Sequence, residues 1–598
     1  MGNPKPKRDR IAYAPAIAVG AFGLAALSQL RVQAFSRVDI LQEGQKSGRF
    51  VIKRTEVAKR GSILTADGKP LATIQEASEL GILFQKVPNS PTFFMELGAA
   101  SGIPASELMH LKSSGQDKVF WQERLSPDQT RAVQAVRTKW RADGVSLARA
   151  GERSYPLREA AASLVGYLRD GAPQAGLEKA FDRDLEGKNG RTIGMVDKGG
   201  DFLPLRTDPD STAKQDGKDI RLTIDSEIQL VAAAAVRTAV ESNKADQGCA
   251  IVIEPETGNI LAMANWPSFD PDRIGEPLKG GAKFSDANCS YMAVLEPGST
   301  FKILTLALAL DKQRVNFAEQ IDCKGSLQVW PTKAIRCDAH GGRRAHGYIG
   351  PVDAIAKSCN VSAAAWAQRV GFEDFTQFLA ESGLLEKTGI GLPAEAAGRY
   401  NTEEYAKGLQ LATFGFGQSL TTSPLALCSA FSMLGNGGVR VKPRLIERIG
   451  DRALPVKPGG RLVSEETAAS VMLAMEQVFE SDHGTGHSLR IPGYRLAGKT
   501  GTAQKINPQT GTVEGGGYVS NFVGYVPAEK PKATILVMID NPKMGKYYGA
   551  TVAGPVFQDV AKAVIRRMSI PPSAPRNEGP LVEIQSAKGP EVQVTRRP

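Results

Sequence analysis

The chain has 598 residues, 42% hydrophobic, 23% charged and 7% aromatic, a composition that excludes a mainly disordered protein and a length that implies roughly two to four domains. The formal charge of +11 comes without arginine-rich runs or interleaved aromatic and basic residues, which argues against a nucleic-acid partner and for a membrane surface or anionic polymer nearby. Six cysteines without a CxxC pair and five histidines without HExxH predict no metal site.

Lys5, Lys7, Arg8 and Arg10 precede Ile11–Leu30, a stretch without charge that Arg31 closes. About 20 apolar residues cross a bilayer, and the basic flank places the N-terminus in the cytoplasm and the rest of the chain outside. The stretch is longer than the apolar region, of about 7–15 residues, of a cleaved signal peptide. Residues 1–10 therefore read as a cytoplasmic tail and 11–33 as an uncleaved, single-pass transmembrane anchor. Residues 34–215 read as a non-catalytic α+β pedestal. Val51–Val57 has strand composition, Ala66-Asp67-Gly68-Lys69 signals a turn, and residues 92–150 carry amphipathic helical stretches.

Residues 216–569 read as an α/β domain. A helix from Ser226 to about Ser242 precedes two strands, Cys249–Glu254 and Ile260–Ala264, joined as a hairpin through Pro255–Asn259. From 299 to about 480 the pattern is helical. Strand patterning returns at Tyr494–Gln504, Tyr518–Val526 and Ala533–Ile539, and a last helix runs from about Val552 to Met568. The sum is an antiparallel sheet flanked by helices with an all-helical insert. The tail 570–598 carries six prolines in the 28 residues after Ile570 and reads as disordered. Cys323 and Cys337 share a polar, loop-like stretch and are predicted to form a disulfide.

Three short motifs in this domain carry chemistry. In Glu296-Pro297-Gly298-Ser299-Thr300-Phe301-Lys302 a breaker pair precedes an apolar run, so Ser299 and Lys302 open a buried helix on one face. A serine needs a base within reach, and a lysine in an apolar pocket sheds its proton near neutral pH. In Ser358-Cys359-Asn360 a hydroxyl and an amide can face one cleft from a turn. In Lys499-Thr500-Gly501-Thr502-Ala503, on a strand, a lysine and two threonines can hold a carboxylate while a glycine lets a backbone approach. Gly493–Thr500 also matches the phosphate-loop pattern G-x-x-x-x-G-K-[ST], but no strand precedes it and no helix follows, which argues against a nucleotide site.

S-x-x-K, S-x-N and K-T-G in that order make a joint signature far more specific than any member. On these motifs the chain resembles a class B penicillin-binding protein, and within it the cell-division branch. Arg60-Gly61-Ser62-Ile63 and Gly176-Leu177-Glu178 look like pedestal motifs of that family. Asn521–Pro527, Asp540-Asn541-Pro542, Tyr547-Tyr548-Gly549 and Val552–Phe557 look closer to its division branch than to its elongation branch.

The resemblance implies a peptidoglycan D,D-transpeptidase that needs no cofactor. Ser299 would attack the penultimate D-alanine carbonyl of a stem peptide ending in D-Ala-D-Ala. Lys302 would act as base, Ser358 would relay the proton to the leaving amine, and Asn360 would hold the substrate amide. Lys499, Thr500, Gly501 and Thr502 would form the substrate-binding strand, and the N–H groups of Ser299 and Thr502 the oxyanion hole. It also implies inhibition by β-lactams and contacts with a membrane-embedded glycan polymerase and other division proteins. The alternatives are an elongation-branch transpeptidase, a β-lactamase or D,D-carboxypeptidase, and a non-catalytic scaffold that activates a glycan polymerase. No glutamate motif of the class A type stands between S-x-N and K-T-G, which disfavours the β-lactamase.

Overall fold

The structure is a computed structural model that describes residues 19–20, 22–29, 51–121, 124–196, 202–204, 211–274, 285–331, 333–337, 345–400, 407–505 and 516–573. Two compact units divide the chain, one of residues 1–60 with 186–217 and one of 61–185 with 218–598. In the first, Val51–Glu56, Gly190–Val196 and Phe202–Pro204 form an antiparallel sheet in that order. Residues 19–20 and 22–29 are helical with Phe22 and Leu24 exposed. No helix among the described residues is long and apolar enough to cross a membrane. The predicted cytoplasmic tail, most of the predicted anchor at 11–33 and the tail from 574 onward lie outside the described residues.

The second unit begins with a long hairpin. Pro70–Leu83 pairs with Val145–Ser154 in unbroken register from Thr73↔Ser154 to Ile82↔Val145. Between these strands come three helices, Pro91–Ser101, Ala105–Ser113 and Pro127–Trp140. The last starts where its residues dictate: Ser126 and Gln129 form a reciprocal capping box with Pro127 at the first turn. Leu80, Ile82, Phe93, Leu97, Leu108, Val133 and Val145 make a separate small core here. The helical reading of 92–150 thus holds for three helices but not for the strand from Val145, whose Val145-Ser146-Leu147 alternation is too short to announce it.

The α/β part has five strands: β1 (Gln247–Ile253), β2 (Ile260–Trp266), β3 (Ala497–Gln504), β4 (Tyr518–Val526) and β5 (Ala533–Asp540). They pair antiparallel in the order β2-β1-β5-β4-β3, which leaves β3 at the edge. Of the helices α1 (Ser226–Ser242), α2 (Lys302–Asp311), α3 (Asn360–Val370), α4 (Pro424–Gly435), α5 (Glu465–Glu480) and α6 (Gly554–Arg567), α1, α4, α5 and α6 pack on the sheet, while α2 and α3 pack on each other. Side chains alternate along β4, so its two faces serve different layers. Phe522 meets Phe557 of α6 with ring centroids 4.6 Å apart, and α1 packs beside α6. On the other face Tyr525 donates to the Phe431 carbonyl of α4 at 2.7 Å, and Asn521 reaches the turn before α2.

The insert is not all-helical, which corrects that part of the expected fold. Among the described residues, four two-stranded ladders interrupt its helices: Ile321–Cys323 with Gly347–Ile349, Ser326–Trp330 with Lys333–Arg336, Arg399–Tyr400 with Leu420–Thr421, and Val439–Val441 with Pro458–Arg461. None of these strands exceeds five residues, too few for a period of two to stand out in the sequence. Gly493–Thr500 enters strand β3, which runs on to Gln504, so the geometry of a phosphate loop opening a helix is absent there.

Candidate active site

The run Glu296–Lys302 enters α2 irregularly. Gly298 takes φ +60°, and Gly298–Phe301 form one 3-10 turn before the helix proper begins at Lys302. Its backbone is pinned by neighbours from distant parts of the chain. Gly298 N donates to Gly417 O at 2.9 Å, and Asn521 Nδ2 donates to Pro297 O at 2.8 Å. Ser419 N donates to the Glu296 carboxylate at 2.9 Å. Ser299 is half-buried in this turn, and its hydroxyl makes no hydrogen bond among the described residues.

Three of the predicted residues converge on one oxygen. Lys302 Nζ donates to Ser358 Oγ at 3.0 Å and to Ser358 O at 2.7 Å, while Lys499 Nζ donates to Ser358 Oγ at 2.9 Å and to Thr500 O at 2.9 Å. Ser358 presents both oxygens to Lys302 because it sits in the left-handed region at φ +60°, in the turn between the Pro351–Ala356 helix and α3. A non-glycine residue there stores about 1–3 kcal/mol of strain, which the surrounding bonds must hold. Both amines are buried. Loss of hydration pushes the Lys302 amine down to about 8. Burial, reinforced by the charge of Lys302, pushes Lys499 well below its ordinary value.

The rest of the predicted site surrounds this core. Asn360 opens α3, and its Nδ2 donates to Arg336 O at 3.1 Å. Thr500 Oγ1 donates to Thr485 Oγ1 at 3.0 Å, and Thr502 Oγ1 accepts from Gly549 N at 3.1 Å. Gly501 pairs with Asn521 across β3 and β4, and the chain's own packing requires it to lack a side chain: a Cβ would overlap Asn521 Oδ1 and crowd Thr300. Asn521 is 2% exposed and fixes the carbonyl two residues before Ser299, a positioning part in the Ser299 turn that no local spacing marks. The arrangement offers a half-buried serine hydroxyl, a depressed amine on the residue three positions later, a hydroxyl between two amines, and an edge strand on which an extended peptide can lie.

One expectation about the cysteines fails. All six are free, so Cys323 and Cys337 form no disulfide. They meet His346 and Cys359 instead, and the four sulfur and nitrogen atoms lie within 4.8 Å of one another. The absence of CxxC and HExxH patterns thus does not mean the absence of a cluster of ligating side chains; four separate segments bring these together.

Comparison with known proteins agrees with this geometry. Residues 248–562 match the penicillin binding protein transpeptidase domain, and residues 55–222 match the penicillin-binding protein dimerisation domain. Stage V sporulation protein D of Bacillus subtilis is 30% identical over 527 residues, which is 86% of this chain and 79% of that protein. Peptidoglycan D,D-transpeptidase FtsI of Escherichia coli is 29% identical over 529 residues, 86% of this chain and 84% of the relative. The crystal structure of penicillin binding protein 3 from Mycobacterium tuberculosis with ampicillin superposes with a TM-score of 0.67 at 27% identity, covering 88% of this chain and 98% of the other. The paired domains imply peptide substrates, β-lactam binding and protein partners. With the Ser299, Lys302, Ser358 and Lys499 constellation on an α/β domain, the chain belongs to the class B penicillin-binding proteins, the serine-type peptidoglycan D,D-transpeptidases with a dimerisation domain.

Proposed function

We propose that this transpeptidase cross-links stem peptides during septal wall synthesis, with residues 11–33 anchoring it in the cytoplasmic membrane, 34–215 as its pedestal and 216–569 as the catalytic domain outside. The bridging Ser358 hydroxyl between Lys302 and Lys499 carries the chemical reading.

Ser299 Oγ attacks the carbonyl carbon of the penultimate D-alanine as neutral Lys302 takes its proton. Loss of hydration keeps that amine near 8, so a useful fraction is unprotonated at neutral pH. The N–H groups of Ser299 and Thr502 receive the oxyanion; losing one such donor typically costs roughly 10²–10³ in rate. Ser358 passes the proton to the leaving nitrogen, the C–N bond breaks, and terminal D-alanine departs. Asn360 holds the substrate amide. The Thr500 and Thr502 hydroxyls meet the terminal carboxylate with buried Lys499 behind them, and Gly501 keeps the strand flat beneath the peptide. An amine from a second stem peptide then attacks the ester, its proton returns through the same groups, and Ser299 is freed with a cross-link made. A β-lactam enters as the first peptide does and remains as an ester on Ser299.

The septal part of the reading is supported by the closing run Asn521–Pro527 and Tyr547-Tyr548-Gly549, which look like the division branch, and by the match to FtsI. It implies a membrane-embedded glycan polymerase and other division proteins as partners. The test labels the purified chain with a fluorescent penicillin and maps the adduct by mass spectrometry. A long-lived adduct on Ser299, lost in Ser299→Ala, is the expected result; rapid turnover of the label or no adduct on folded protein sinks the transpeptidase reading. Depletion in cells that yields filaments supports the septal role, and round cells would assign the chain to elongation.

A further inference from the structure

We propose that Cys323, Cys337, His346 and Cys359 form a closed tetrahedral site for one zinc-type divalent cation, and that the bound ion fixes the turn carrying Ser358 and Asn360.

Three of the six ligand–ligand distances match a tetrahedron's edges, and all four atoms lie within 4.8 Å of one another. Zinc bonds of about 2.3 Å to sulfur and about 2.0–2.1 Å to nitrogen put tetrahedral ligands about 3.8 Å apart for two sulfurs and about 3.6 Å apart for sulfur and nitrogen. Cys337 Sγ stands 3.7 Å from Cys359 Sγ, and His346 Nδ1 stands 3.5 Å from the sulfurs of both Cys323 and Cys337. A disulfide would need sulfurs about 2.05 Å apart. All three cysteines are at most 1% exposed. Ser362 N donates to Cys359 Sγ at 3.4 Å, the kind of donor that stabilises a thiolate. Three thiolates and one imidazole on a closed, buried centre suit zinc; hard cations such as magnesium prefer oxygen.

The local fold gives such an ion mechanical work. Cys323 ends the strand Ile321–Cys323, and His346, just before its partner Gly347–Ile349, donates its backbone N–H to Cys323 O at 3.1 Å. Cys337 follows the strand Lys333–Arg336, and Cys359 is the residue before α3. Two-stranded ladders this short are not stable alone. One ion would staple both to the start of α3. Cys359 lies between Ser358 and Asn360, and Asn360 is already tied to Arg336, so the staple would hold the strained φ of Ser358 and the aim of both side chains.

The test begins with the full-length chain, purified without chelator, and its metal content by mass spectrometry. About one zinc per chain is expected in the wild type and in Cys428→Ser, and less than a tenth of that in Cys337→Ser. To separate ligand loss from local unfolding in Cys337→Ser, zinc in the wild type is also exchanged for cobalt, which should give the visible bands of a tetrahedral centre and thiolate-to-cobalt charge transfer. No metal taken up by folded wild type, or a disulfide mapped between two of these cysteines, overturns the site. Stripping the ion should slow fluorescent-penicillin acylation by roughly 10²-fold, with zinc restoring it; an unchanged rate overturns the coupling to the turn. Zinc stoichiometry does not depend on transpeptidation, so bound zinc without any penicillin adduct would count against the catalytic reading alone.

Discussion

At the scale of single residues the site is governed by what burial does to two amines. Lys302 and Lys499 both give hydrogen bonds to one hydroxyl, and hydration that would stabilise two ammonium ions is absent. The second proton therefore binds poorly, and the base in the proposed mechanism is Lys302 in its neutral form. Protonation removes the lone pair that accepts the Ser299 proton, so lowering pH must slow acylation and raising it must speed acylation until the amine, at about 8, is mostly neutral. The second-order rate of penicillin acylation should rise about tenfold per pH unit below that value and level above it, measured by quenched labelling at a series of pH values. A rate flat from pH 6 to 8 would refute Lys302 as the base. Ser299 and Lys302 are legible in the sequence because three-residue spacing before an apolar run marks one face of a helix start. Asn521 is not, since its bond to Pro297 joins positions 224 apart and nothing near either residue announces it.

At the scale of elements the same contrast recurs. The strands β1, β2, β4 and β5 and helix α1 fall where apolar runs and breakers put them, because a strand buried on both faces, such as Ala533–Asp540, leaves a continuous apolar signature. The insert ladders leave none, and the cysteine cluster they carry is invisible with them. The motifs Arg60–Ile63 and Gly176–Glu178 were legible as words without a visible reason. Arg153 supplies one. Its Nε donates to Glu178 Oε1 at 2.7 Å and its other nitrogen to Gly61 O at 2.8 Å, with side-chain exposures of 6% for Arg153 and 0% for Glu178. Breaking such a pair from one side leaves a charge in a place where water cannot reach it. Glu178→Leu should cost about 3–5 kcal/mol, read as a fall of several degrees in the thermal midpoint. A midpoint unchanged within a degree would mean that the pair is dispensable and that Gly176–Glu178 holds the pedestal by backbone alone.

At the scale of the molecule, folding units and family domains need not share boundaries. The matched dimerisation domain ends at residue 222 and the transpeptidase domain starts at 248, yet residues 61–185 and 218–570 contribute to one hydrophobic core. Ile63, Leu71, Tyr155, Leu164 and Leu177 pack in the same cluster as Ile224, Ile228 and Phe269, and Ile220 pairs with Ile63 in the sheet. Polar ties cross the same seam: Gln229 Nε2 to Ala160 O at 2.6 Å, Ser268 Oγ to Glu159 O at 2.7 Å, and Asn288 Nδ2 to Ser163 Oγ at 3.1 Å. The sequence patterns suggest a boundary near 215, whereas a core assembled from both sides of it is a property of packing alone. A chain begun at Lys218 would keep every residue of the three motifs, yet it would strip Ile220 of its partner Ile63 and take the Ala160 and Ser163 oxygens away from the amides of Gln229 and Asn288. Against a reference chain begun at Val51, that fragment should aggregate or melt without cooperativity and take no fluorescent penicillin on Ser299. If it melts in one sharp transition and labels at the reference rate, residues 61–185 are an appendage with a core of their own, and the catalytic turn owes its geometry to the α/β layer alone.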